Sequence, residues 1–146
     1  MIKIITAAAA CTLISAASFA DEVWTTPIGD VVYERDLETG HAVLSYPTDN
    51  DAMRGLAYIN DLAGQYTQRG AFTGVWIEDE MMGGEACDVS IADPETGEPR
   101  SHWGRVDLIF TKADFPGGWV AIRGDCFEQP QNYLIGKPVT AESTPQ

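Results

Sequence analysis

The stretch Trp103-Gly104-Arg105-Val106-Asp107-Leu108-Ile109-Phe110 changes side-chain character at every step, and a period of two commits it to a β-strand. One face carries Val106, Leu108 and Phe110; the other carries Trp103, Arg105, Asp107 and Ile109. Runs of the same kind recur at 31–34, 42–46, 72–78, 87–91 and 119–123. They are separated by Leu37-Glu38-Thr39-Gly40, Met82-Gly83-Gly84, the acidic Pro/Gly segment 93–99 and Phe115-Pro116-Gly117-Gly118, all rich in residues that end strands. The first two runs predict a hairpin, with Gly40 supplying the positive φ of its turn.

Residues 51–66 admit two readings. Ala52, Leu56, Ile59, Ala63 and Tyr66 fall at helical spacing behind Asp49 or Asp51, whereas Gly55, Gly64 and the compact run 56–59 favour a strand over 56–60. The strand is preferred, with one short helix near 51–66 as the alternative. The fold class that follows is all-β, mainly antiparallel: one small domain, a β-barrel or sandwich of seven to eight strands.

The N-terminus has the layout of a secretory signal: Lys3, an apolar run, then Ser18-Phe19-Ala20 before Asp21. This predicts a signal peptide over 1–20, a β-rich domain over 21–135 and a disordered tail over 136–146. A lipoprotein signal ending at Cys11 is the minor alternative, because it would leave the apolar residues after it without a purpose. Export places the domain in a periplasm or outside the cell, with no stable membrane anchor. Of three cysteines, Cys11 leaves with the signal, so Cys87 and Cys126 are expected to form one disulfide. Such a loop is worth about 4 kcal/mol in the chain-entropy description. Neither thiol stands in a Cys-x-x-Cys motif or beside a cation, so the pair reads as structural.

A formal charge of −13 at pH 7 argues against nucleic acid and anionic lipid surfaces as partners. No phosphate-cradling glycine loop and no nucleophile motif occur, and the two histidines, His41 and His102, have no zinc-ligand spacing. Asp49-Asn50-Asp51 begins like a calcium loop, but Met53, Arg54 and Asn60 stand where that motif needs an oxygen ligand, a glycine and a glutamate. The acids Glu78-Asp79-Glu80, Glu85 and Asp88 read as solvated loop charges. No cofactor and no metal site is expected.

The candidate site comes from aligning three tryptophan-bearing strands. If they share a sheet, Trp76 and Glu78, Trp103, Arg105 and Asp107, and Trp119 and Arg123 present a common face, with Val75, Ile77, Val120 and Ile122 behind it. Flat rings mixed with charges suit a small molecule, a glycan or a peptide segment of a protein partner. The competing reading is a stacked arginine with internal Arg105–Asp107 or Arg123–Glu78 pairs covering one side of a sheet.

Phe72-Thr73-Gly74-Val75-Trp76 is similar to the Gly-x-Trp strand openings of small ligand-binding barrels such as avidins and lipocalins. A barrel with one disulfide also resembles bacterial periplasmic protease inhibitors. The resemblance implies a barrel and assigns no residue a role. The functional expectation is a non-catalytic exported binding or inhibitory domain. The alternatives are a subunit of an envelope assembly and, behind it, a hydrolase using two carboxylates drawn from Glu78, Asp79, Asp107 and Asp125.

Overall fold

The computed structural model describes residues 22–140. Ten strands follow in chain order: β1 Val23–Thr26, β2 Gly29–Asp36, β3 Ala42–Pro47, β4 Arg54–Ile59, β5 Ala71–Ile77, β6 Ile91–Ala92, β7 Pro99–Arg100, β8 Trp103–Phe110, β9 Trp119–Arg123 and β10 Asn132–Pro138. A single 3-10 turn, Glu80–Met82, is the only helical element among the described residues. Eight strands close an antiparallel barrel in the order β1-β10-β9-β8-β5-β4-β3-β2, and β6 with β7 forms a separate two-stranded ribbon. Closure pairs every barrel strand on both sides along at least part of its length, which removes most of the edge hazard of a small sheet.

Local signals placed most elements. The expected hairpin is β2–β3, with Val32 opposite Ser45, Tyr33 opposite Leu44 and Gly40 at φ +89° in the turn. The strands at Trp103–Phe110 and Trp119–Arg123 have the expected bounds. Residues 54–59 form β4, so the helical alternative near 51–66 is not adopted: both flanks of this run find a ladder, β3 on one side and β5 on the other.

Three expectations need correction. Residues 87–91 are not a strand, because only Ile91–Ala92 pair, and Cys87 lies in the preceding loop. Val23–Thr26, which the sequence reading passed over, is β1. The ordered chain also runs past residue 135: Gly136 pairs with Trp119, Lys137 with Thr25 and Pro138 with Trp24. A composition rich in small and polar residues hid this strand end, whose order comes from two neighbouring strands rather than from its own pattern. The signal peptide expected over 1–20 and the part of the expected tail over 141–146 lie outside the described residues.

The barrel has two apolar clusters. The lumen is filled by Trp24, Val31, Tyr33, Leu44, Tyr46, Ile59, Leu62, Trp76, Leu108, Phe110 and Trp119 with smaller neighbours. A second cluster, Val43, Tyr58, Ile77 and Trp103, lies on the outer wall of β3, β4, β5 and β8. Leu37, Cys87 and Ile91 pack against it, so the segment between β5 and β8 covers that wall. Trp103 donates its indole N–H to Val89 O at 2.7 Å, and its ring meets Phe127 edge-on at 4.9 Å between centroids.

Cys87 and Cys126 are joined as expected, with Cα atoms 5.6 Å apart. The bridge ties the covering segment to the end of β9. Replacing both cysteines by serine should lower unfolding free energy by about 2–4 kcal/mol. It should also shift Trp103 emission to the red as the cover loosens. An unchanged urea midpoint would show that the cover is held by apolar contacts alone.

Candidate functional site

Register decides which residues meet. Trp76 stands opposite Gly104, and Ile77 opposite Trp103. Trp76 therefore shares the lumenal face with Val106, Leu108 and Phe110, while Trp103, Arg105 and Asp107 look outward. On β9 the partners of Phe110, Leu108 and Val106 are Trp119, Ala121 and Arg123, which also face the lumen. The common tryptophan face thus divides. Trp76, Trp119 and Arg123 belong to the interior, with Glu78 at its rim; Trp103, Arg105 and Asp107 belong to the outer wall. Val75 and Ile77, expected in the core behind the site, are outer-wall residues under or beside the cover.

The outer group has structural partners. Arg105 donates to the carbonyls of Phe127 at 2.8 Å and Glu128 at 2.7 Å, pinning the loop after Cys126. Asp107 stands between Thr73 and Ile122 on the outside of the barrel.

The inner group surrounds a cavity of about 240 Å3 at one end of the lumen. Its wall includes Ile28, Val31, Leu44, Trp76, Trp119 and Leu134, with Tyr46, Arg123, Asn132 and Tyr133 as its polar members. Two glycines make room for the indoles. A Cβ on Gly104 would fall on the Trp76 ring, and one on Gly136 on the Trp119 ring. Trp76 donates its N–H to Gly124 O at 2.8 Å. Trp119 is fully packed, 2% exposed, yet its Nε1 has no hydrogen-bond partner among the described residues. A buried donor left unpaired is costly.

The mouth is a three-residue cluster from β3, the end of β5 and β9. Glu78 Oε1 accepts from Tyr46 Oη at 2.8 Å and from Arg123 Nη2 at 3.0 Å. The Arg123 guanidinium lies 3.9 Å over the Trp76 ring and 5.4 Å from the Tyr46 ring centre. The expected Arg123–Glu78 pair and the arginine–tryptophan stack are both present, but at the barrel mouth rather than on an open sheet. Burial, reinforced by the Glu78 charge, holds the Tyr46 phenol well above its ordinary pKa, so it remains a donor.

The cavity wall carries no carboxylate, histidine, serine or cysteine. Glu78, Asp79 and Glu80 border a separate exterior cleft with His102, where the Asp79 carboxylate caps the 3-10 turn by accepting Met81 N–H at 2.9 Å. Among the described residues no group of three or more His, Cys, Asp or Glu side chains could hold a metal ion.

Sequence reasoning missed Tyr46, Ile28 and Leu134. Tyr46 closes an alternating run and could have been assigned to the face of Leu44 and Ala42. Ile28 sits in a turn and Leu134 in an unassigned strand, so neither carried a signal.

Comparison of the chain with protein-family models, curated proteins and solved structures gives no match. Among the described residues no helix is long and apolar enough to cross a membrane, and a small disulfide-bonded barrel is compatible with export.

Proposed function

We propose that this protein is an exported, non-catalytic binding domain that holds a small apolar group inside the barrel, behind the Tyr46–Glu78–Arg123 mouth. The observation that carries this reading is the apolar cavity lined by Trp76 and Trp119, the latter with a buried Nε1 that has no hydrogen-bond partner among the described residues. An apolar cavity of about 150 Å3 is enough for benzene, so the space here suits a guest of about ten heavy atoms. The guest should expose a hydrogen-bond acceptor to Trp119 and keep its body among Leu44, Leu108 and Leu134.

Titrating single-ring aromatic alcohols and ketones is expected to change tryptophan emission and to raise Tm through binding to the folded state. Ala121→Phe should fill the cavity and abolish both responses while the barrel remains folded. Trp119→Phe should weaken acceptor-bearing guests about fivefold to tenfold and leave hydrocarbon guests unchanged. Equal losses for both guest types would remove Trp119 from the site, and an absence of any binding would remove the cavity reading.

The alternative of an envelope-assembly subunit draws support from one row on the outer wall, where Ile109, Val120 and Ile135 are neighbours across β8, β9 and β10. A fixed partner co-purifying with the wild type but not with an Ile109→Lys variant would favour it.

A further inference from the structure

The barrel is not paired along its whole height. β1 contributes only Trp24 and Thr25 to the ladder with β10, then turns at Pro27 and Ile28 into β2. Continuing the register sets Pro27, which has no N–H, opposite Ile135. Val139 N–H bonds Val23 O, and Lys137 stands opposite Thr25, so alternate residues of β10 direct their backbone away from β9. By that alternation the N–H and C=O groups of Tyr133 and Ile135 point into the gap, and the β1 ladder ends before it reaches them.

This open edge coincides with the cavity. Ile28, Asn132, Tyr133 and Leu134 border both the gap and the cavity. Tyr133 is 73% and Ile28 52% exposed, and no charge or proline guards the edge between Gln131 and Gly136. Above the mouth, a shallow cleft is lined by Asp49 and Glu78 among others, and Arg123 is already held by Glu78. The chain as a whole carries a formal charge of −13.

We infer that the gap between β10 and the β1–β2 turn receives an extended, basic peptide segment, which adds a short strand to Tyr133–Ile135 and places one apolar side chain in the cavity. The inference rests on the cavity reading above and names the class of partner. Backbone pairing supplies register, because a residue set opposite Leu134 points into the lumen. The carboxylates at the rim select lysine or arginine in the flanks. A second copy of this chain pairing β10 to β10 is the rival occupant.

The test uses the intact protein and a short peptide of alternating leucine and threonine with lysines at both ends. Amide exchange and chemical shifts are read by NMR, with tryptophan emission in parallel. Binding should slow exchange of the Tyr133 and Ile135 amides by about tenfold and should weaken as salt is raised. The same peptide N-methylated at alternate residues should bind about tenfold more weakly. A peptide that binds without protecting those two amides overturns the inference, as does equal affinity of the methylated form. Protection that appears in the protein alone with rising concentration would assign the edge to self-pairing and also overturn it. If single-ring guests fill the cavity but the peptide does not bind, the peptide falls and the cavity reading stands; if neither binds, both fall.

Discussion

Replacing Arg69 by alanine is expected to cost about 3–5 kcal/mol of unfolding free energy, because it leaves a carboxylate without its partner at the closed end of the barrel. The Arg69 side chain is 1% exposed and grips Glu22 with two hydrogen bonds, 2.6 Å and 2.8 Å, the Glu22 side chain being 12% exposed. Its Nε donates to Gln65 O at 2.6 Å, and the guanidinium lies 5.0 Å from the Phe110 ring centre. The arginine thus stoppers the end opposite the cavity and joins the start of β1 to the loop before β5. The double change Arg69→Met with Glu22→Gln should recover most of the loss, since it removes both charges and retains apolar volume. Urea denaturation of the three variants checks this. A loss below about 1 kcal/mol for Arg69→Ala would show that the stopper does not support the barrel.

Alkali is expected to unfold the protein within about two to three pH units above 10. Burial raises the phenols of Tyr33, Tyr46 and Tyr58, the last to about 12, and nearby carboxylates add to the effect: Asp36 at Tyr33, Glu78 at Tyr46 and Asp93 at Tyr58. The folded chain therefore holds these protons more tightly than the unfolded chain does. Their contribution is complete below pH 10 and is lost as pH rises through the folded values. Each phenol can change the unfolding free energy by at most about 1.4 kcal/mol per pH unit between its unfolded and folded values, a window that closes near pH 12 for Tyr58, so the three losses overlap between pH 10 and 12. A domain stable by about 5–15 kcal/mol does not survive a wide span at that slope. Denaturant midpoints between pH 8 and 12, read beside tyrosinate absorbance, test the expectation. Tyrosines that titrate near 10 while the barrel stays folded would contradict it.

Both predictions concern residues that the sequence left unmarked, and the reason is the same in each case. Arg69 sits in the polar stretch between β4 and β5, where a charge ordinarily faces water. What buries it is the meeting of Glu22, Gln65 and Phe110, which come from three separate parts of the chain. Tyr33 and Tyr58 occupy alternating runs in which either face could have been the inner one. Tyr33 is lumenal; Tyr58 is on the outer wall and still only 2% exposed, because the segment between β5 and β8 covers it.

The same limit applied to the candidate site. Alternation within β5, β8 and β9 was legible and correct, and so was the disulfide; of the two arginine pairs open as alternatives, Arg123–Glu78 forms, and Arg105 binds backbone carbonyls instead. The offset between strands was not legible. Setting Trp76 beside Gly104 rather than Trp103 moves every side chain of β5 to the other face relative to β8. Three tryptophans that looked like one surface became two lumenal rings and one ring under a cover.

By itself, then, the amino-acid sequence determined the all-β class, the central strands β2 to β5, β8 and β9 with the turns between them, and the pairing of Cys87 with Cys126, because period-two alternation, turn residues and the scarcity of cysteines are local or countable properties. Tertiary structure alone decided which faces became interior, where β10 runs beyond β1 and where the cavity opens. Those depend on register between strands distant in the chain, and on a covering segment that buries an outer wall which alternation would have assigned to solvent.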